Sequence, residues 1–198
     1  NAVAITGDHD QLTAALVTEG TKVVVSDATV IVNDADATSI TATELSAIGG
    51  ATTGTVTVTN AVAITGDHDQ LTAALVTAGT LVEVTDAAVT INDNPTIADL
   101  NAIAAKTTGV VTATLAADSI ANLESLTTAA TDAITITVND QDATEVTAAN
   151  LSELGGKTAG TVTVTNAVAV TGSIAEVTAA LVTAGTKVEV NDASVIIN

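Results

Sequence analysis

The chain has 198 residues, in which 23 acidic residues face four lysines, and its formal net charge is −19. Neutralising phosphates requires Lys and Arg, so this balance excludes nucleic acid as a partner and disfavours anionic membrane surfaces. The lack of cysteine excludes disulfides and structural zinc, and apolar runs of only a few residues predict no membrane insertion.

Three stretches of the chain are near copies of one another: residues 1–33, 60–92 and 166–198. Such internal similarity is typical of stacked supersecondary units that bury their apolar faces against their neighbours. Hydrophobic residues make up 47% of the chain and none of them is aromatic. This aliphatic composition favours a folded chain with a narrow, layered core over a disordered one.

Capping residues predict seven short helices. Their starts fall near residues 8, 41, 67, 96, 119, 147 and 173. Four of these starts have the spacing of a capping box, in which an N-cap side chain and the residue three positions later bond each other's backbone. The four pairs are Asp8 with Gln11, Thr41 with Glu44, Asp67 with Gln70, and Ser173 with Glu176.

Strands are predicted between the helices because Thr alternates with Val or Ile, as over residues 55–59, 134–138 and 161–165. A strand, a short helix and a next strand favour parallel pairing. We therefore predict an α/β solenoid with a parallel sheet, built from stacked strand-(strand)-helix coils of about 23–33 residues. The stacking is expected to align one aliphatic row: Val56, Val84, Val111, Ile136, Val164 and Val190.

The expected domain organisation is one continuous, elongated array over residues 1–198, with an incomplete repeat at each end. Both ends are expected to cut through a repeat, which predicts an excerpt from a longer array or filament. The expected partners are then neighbouring repeats of the same chain or of an identical one.

Acidic turns follow several predicted strands, and they carry the candidate metal ligands. Calcium takes six to eight oxygen ligands, which clustered carboxylates and amides can supply. The candidate calcium residues are Asp34, Asp36, Asp93, Asp140 and Asp142. Asn and Asp also favour turns through bonds to their own backbone, so solvated corners are the competing interpretation. No other cofactor is expected.

Two histidines lie between acidic residues, in Asp8-His9-Asp10 and Asp67-His68-Asp69. Adjacent residues on a helical first turn point in different directions, which disfavours a shared metal ion. Threonine rows on a flat sheet are a possible ice-binding surface, although Glu83 and Glu189 interrupt them. No nucleophile elbow or phosphate loop is present, so an enzyme is not expected.

The stretch from residue 118 to residue 154 resembles the α/β repeats of very large bacterial secreted and cell-surface proteins. Asp118, Asn122 and Leu123 match the helix start of those repeats, residues 134–138 match their strand, and residues 147–149 match the next helix start. The resemblance implies an adhesin-like, surface-exposed spacer, often beside calcium-binding modules.

The expected function is therefore that of a non-enzymatic structural segment of a large extracellular or cell-surface protein or filament, such as a spacer, an adhesin stalk or a matrix component. The alternative is a ligand-binding module that uses the threonine sheet or the acidic turns to bind calcium, glycan or ice. The two hypotheses differ in whether added calcium raises the melting temperature, since a ligand of the native state must stabilise it.

Overall fold

The computed structural model describes residues 3–186 and 188–198, and Lys187 and the first two residues lie outside that description. The chain divides into two compact units, one of Asn1–Asp93 with Ala102–Val111 and one of Asn94–Asn101 with Thr112–Asn198. Among the described residues, strands and helices alternate and the strand pairings are parallel. This arrangement confirms the predicted α/β class, whereas the single array over residues 1–198 stays a prediction.

The first unit runs strand, helix, then three strand pairs separated by two helices. Its elements are β1 (Ala4–Gly7), α1 (His9–Leu16), β2 (Thr29–Val32), β3 (Ser39–Thr41), α2 (Ala42–Gly49), β4 (Val56–Val58), β5 (Ala63–Gly66), α3 (His68–Leu75), β6 (Val82–Glu83) and β7 (Ala88–Ile91). One row of paired strands has the order β1-β2-β4-β6 and another has the order β3-β5-β7. The chain then forms α4 (Ile97–Ala104).

The second unit repeats this order. Its elements are β8 (Val111–Thr114), α5 (Ile120–Leu123), β9 (Ala133–Val138), β10 (Glu145–Thr147), α6 (Ala148–Gly155), β11 (Val162–Val164), β12 (Ala169–Gly172), α7 (Ile174–Leu181), a 3-10 turn (Ala184–Thr186), β13 (Val188–Val190) and β14 (Ser194–Ile197). The strand orders β8-β9-β11-β13 and β10-β12-β14 match those of the first unit.

The two units are thus internal duplicates at the level of topology. From β3 and β10 onward the counterparts begin 106 residues apart, as for α2 at Ala42 and α6 at Ala148, or β7 at Ala88 and β14 at Ser194. We call a strand or strand pair together with the helix that follows it a module. Successive modules place equivalent strands side by side, so the modules of a unit contact one another through their sheets.

The predicted capping boxes form, and they explain where the helices begin. Asp8, Thr41, Asp67 and Ser173 each accept the backbone N–H three residues on, and the partner side chain returns the bond. Thr147 caps α6 in the same way without the return bond, and the Thr96 hydroxyl bonds the backbone N–H of Asp99. Each cap satisfies a backbone N–H that the helix itself leaves without a partner.

Aliphatic side chains from neighbouring strands stack into the core of each unit. In the first unit Val30, Val56 and Val82 lie in one register row, each at most 1% exposed. The predicted alignment of Val56 with Val84 is wrong by two residues, because Val56 pairs with Val82. Val84 is half-buried. Side chains alternate with period two along a strand, so a shift of two residues keeps the same face inward, and sequence alternation cannot distinguish the two registers.

The second unit contains the equivalent row, with two further corrections. Ala113 pairs with Ile134, so the predicted alignment of Val111 with Ile136 is wrong by four residues. Ile136 pairs with Val162, which in turn pairs with Val188. The predicted alignment of Ile136 with Val164 is therefore also wrong by two residues, while Val164 does pair with Val190 as predicted.

Candidate functional site

The acidic corner after β2 connects two successive modules. Asp34 Oδ2 accepts the backbone N–H of His9 at 2.8 Å, and Asp34 Oδ1 lies 2.6 Å from His9 Nδ1. The Asp34 side chain is only 5% exposed. Because His9 is the first residue of α1, this one carboxylate both satisfies a free amide at a helix N-terminus and interacts favourably with the helix dipole.

The same arrangement recurs 59 residues later in the chain, in the second of the near-copy stretches. There it joins α3 to the corner after β7. Asp93 Oδ1 accepts the backbone N–H of His68 at 2.9 Å, and Asp93 Oδ2 lies 2.6 Å from His68 Nδ1. In the second unit Asp140 Oδ2 accepts the backbone N–H of Ile120, the first residue of α5, at 2.7 Å. A hydrogen bond from the first backbone N–H of a helix to the aspartate at the next corner is therefore a repeated contact.

Asp36 and Asp142 make a different contact between modules. Asp36 Oδ1 accepts the backbone N–H of Ala61 at 3.1 Å, and Asp142 Oδ1 accepts that of Ala167 at the same distance. The residue after each aspartate has left-handed backbone, with φ of 61° at Ala37 and 62° at Ala143. This conformation is costly for alanine, so the bonds at these corners hold the turn in place.

All five candidate calcium residues thus serve as acceptors for backbone amides of a neighbouring module. Among residues 3–186 and 188–198, no three His, Asp or Glu side chains are grouped so that they could hold a metal ion. The structure gives these carboxylates a hydrogen-bonding role, and calcium binding at the corners stays a prediction.

The carboxylate neighbours of His9 raise its pKa. Partial burial lowers the pKa of His9, but the hydrogen bond to Asp34 and the charges of Asp34, Asp10 and Glu44 outweigh that effect. The net result is a pKa of His9 above its ordinary value of 6.5. His9 Nε2 lies 3.7 Å from Asp10 Oδ1, and His68 Nε2 lies 3.5 Å from Asp69 Oδ1.

A third kind of contact between modules involves a recurring Thr-x-Gly motif, whose glycine lies two residues before the start of a strand. The sequence did not predict this contact. Thr52 and Thr107 donate their hydroxyls to Ala28 O and Ala87 O, at 2.8 Å and 2.6 Å, and Thr158 bonds Ile134 O at 2.7 Å. Each hydroxyl also accepts the N–H of the glycine two residues on.

The glycine in this motif is required by close packing of backbone against backbone. A Cβ on Gly54, Gly109 or Gly160 would lie 2.2–2.3 Å from a carbonyl oxygen of the preceding module. We call each Thr-x-Gly with its carbonyl partner a threonine clip. The motif is visible in the sequence as TTGTV, TTGVV and TAGTV. Its carbonyl partner is 20 or more residues away in the chain, so local spacing does not identify that partner.

The outward threonines form short rows rather than a continuous lattice. Thr41, Thr65 and Thr90 are in register across three strands. A second row runs Thr6, Ile31, Thr57 and Glu83, and a third ends at Glu189. Ice binding by these faces stays a prediction.

A cleft with a volume of about 540 Å³ lies in the second unit. Pro95 and Leu115 are its buried lining residues, and most of its polar groups are already engaged. Asp118 Oδ1 accepts both Ser119 N–H and Asn122 Nδ2, and the Ser125 hydroxyl donates to Asn122 O. The cleft therefore holds no serine that is hydrogen-bonded to a base.

The chain matches no protein-family model, and no curated protein and no solved structure is significantly similar to it. The described part of the chain also contains no helix with the length and apolar character needed to span a bilayer.

Proposed function

We propose that this chain is a non-enzymatic structural segment of a large extracellular or cell-surface protein or filament, acting as a spacer, stalk or matrix component. Its modules would stack as an α/β solenoid, with successive modules of the same or an identical chain as the principal partners. The resemblance of residues 118–154 to repeats of large bacterial surface proteins motivates the location.

One observation carries the proposal: at three helix N-termini, the kind of position where parallel α/β proteins bind ligands, the backbone amides are held by the chain's own carboxylates. In open α/β sheets, ligands bind beyond the carboxyl ends of the strands, beside helix N-termini. In this chain the corner carboxylates of Asp34, Asp93 and Asp140 occupy the first amides of α1, α3 and α5. Groups that could bind a substrate instead hold neighbouring modules together.

The distribution of polar bonds supports the same role. Thr52 and Thr158 are 8% and 3% exposed, and their hydroxyls bond backbone of another module, as does that of Thr107. A buried polar group that is fully bonded favours one arrangement over its competitors, because any other arrangement leaves it without a partner. Such contacts are suited to keeping repeats in fixed register.

Localisation tests the proposal. Antibodies raised against the folded chain should label intact producing cells or their extracellular matrix, while an abundant cytoplasmic protein of the same cells stays unlabelled until lysis. Labelling that requires lysis, with the chain recovered only in the cytoplasmic fraction, would overturn the proposal.

A further inference from the structure

The last strand of the second unit, β14, has an open edge with an apolar surface. It pairs with β12 on one side, and no strand among the described residues pairs with its other side. Its aliphatic residues Val195, Ile196 and Ile197 are 46%, 46% and 50% exposed. An open strand edge presents N–H and C=O groups in a row, so a further strand can add to it.

The backbone of β14 directs alternate groups to its two edges. Ser194 and Asn198 donate their N–H groups towards β12, to carbonyl oxygens at 3.0 Å and 3.1 Å. Successive residues of a strand point their backbone groups in opposite directions within the sheet. The N–H groups of Val195 and Ile197 therefore point to the open edge.

The first unit shows what covers this edge in two other copies of the same sequence. The strands β2, β7 and β14 each directly follow an Asp-Ala pair. On β2 the N–H of Val30 donates to Thr55 O at 2.9 Å, and near the start of β7 the N–H of Val89 donates to Val110 O at 3.0 Å. Val30 and Val89 are at most 1% exposed, whereas Val195 has the same place in its copy and is 46% exposed.

In both of those copies the covering segment begins with a threonine clip. Thr52 and Thr107 bond the carbonyl of the alanine directly before the strand, which is Ala28 or Ala87. The glycine of each clip packs against the same carbonyl oxygen, where a Cβ would lie 2.2–2.3 Å away. Ala193 has this position directly before β14.

We propose that the open edge of β14 is a docking site for an extended Thr-x-Gly segment of another polypeptide chain, which adds to β14 as a parallel strand. The incoming threonine hydroxyl donates to Ala193 O, and the glycine packs against the same carbonyl. The residue after the glycine accepts the N–H of Val195 through its own carbonyl. Main-chain bonds provide the affinity in such strand addition, and the glycine provides the specificity, because a side chain there would collide with the carbonyl.

The inference rests on the proposed structural function only for the source of the segment, which is a neighbouring module. Binding in solution is measured without regard to where the protein is located. Absence of binding would therefore overturn the docking site alone, and a cytoplasmic location would overturn the proposed function alone.

The test adds a synthetic peptide of residues 106–114, KTTGVVTAT, at millimolar concentration to the isotope-labelled, unsubstituted chain. NMR spectra should show saturable shifts at the amides of Val195 and Ile197, with slower hydrogen exchange at both. The matched control peptide carries Gly109→Val, which keeps the length and charge, and it should give no saturable shift. A Thr107→Val peptide should bind about tenfold more weakly, since it lacks the hydroxyl. Equal shifts with the unsubstituted and Gly109→Val peptides, or no shift with either, overturn the proposal.

A variant of the chain tests the same contact from the other side. Val195→Pro removes the outward N–H, and proline is tolerated on an edge strand where its missing N–H faces solvent. The variant should keep its circular dichroism spectrum and bind the unsubstituted peptide about tenfold more weakly or worse. Unchanged affinity contradicts the docking site, and if the variant does not fold, the comparison of the two peptides decides. Concentration-dependent shifts at the same amides without peptide would assign the edge to a second copy of the chain and overturn the proposal.

Discussion

At the scale of single residues, the buried threonine hydroxyls have the clearest energetic role. Thr158 accepts the backbone N–H of Ile134 and of Gly160, both at 2.8 Å, and donates to a carbonyl of the preceding module. It is 3% exposed, so water cannot replace these bonds. Removing the hydroxyl leaves buried backbone groups without partners, which costs about 1–3 kcal/mol for each group.

We expect Thr158→Val to lower the free energy of unfolding by about 2 kcal/mol, because valine keeps the shape and removes only the hydrogen bonds. The matched control is Thr161→Val, at an exposed position directly before β11, for which a change within about 0.5 kcal/mol is expected. Urea unfolding followed by circular dichroism measures both. Equal effects of the two substitutions would show that the threonine clip does not stabilise the fold.

At the scale of elements, the helices depend on their caps because each is short. Most have eight residues, about two turns, and isolated helices of that length are marginal in water. In α2, the Thr41 hydroxyl accepts the N–H of Glu44, and the Glu44 carboxylate bonds both the backbone N–H and the hydroxyl of Thr41. These bonds lower the pKa of Glu44.

Thr41→Ala should destabilise the chain by about 1 kcal/mol, since it removes the N-cap acceptor. Thr43→Ala lies two residues further on, on the exposed side of the same helix, and alanine has the better helix propensity. That control should be neutral or slightly stabilising. Thermal melting of the two variants side by side decides the point, and an equal loss in both would contradict the capping argument.

Helix starts could be predicted from the sequence because a capping box is a local pattern of four residues. The ends of the helices are harder to predict from the sequence, as α5 shows. The spacing of Ile120, Leu123 and Leu126 predicts a longer apolar stripe than the single turn of Ile120–Leu123 that forms. Ser119 makes no side-chain cap bond, so this helix lacks the local stabilisation that the capping boxes give to α1, α2, α3 and α7.

At the scale of the whole molecule, parallel pairing could be predicted, whereas the contacts between modules could not. The period-two alternation identifies which face of a strand is buried, but it leaves the register open by two residues, as with Val84 and Val82. The bond from His9 to Asp34 joins residues 25 positions apart, and only the folded arrangement shows that the corner carboxylate turns back to the helix. The candidate calcium residues were located correctly as corners, but their hydrogen-bonding role depended on that long-range geometry.

In the proposed arrangement, the modules repeat in phase and are held by contacts with their neighbours. Deletion of residues 34–92 tests whether the modules repeat in phase. The deletion joins Asn33 to Asp93, and because Asn92 precedes Asp93 in the unsubstituted chain, the Asn-Asp sequence of the corner is preserved. The control deletion of residues 47–105 has the same length but joins Ser46, within α2, to Lys106. The in-phase deletion should unfold in one cooperative thermal transition with unchanged helix content per residue by circular dichroism, and the control should not. Failure of the in-phase variant to fold, or equal behaviour of the two variants, would show that the modules do not repeat in phase.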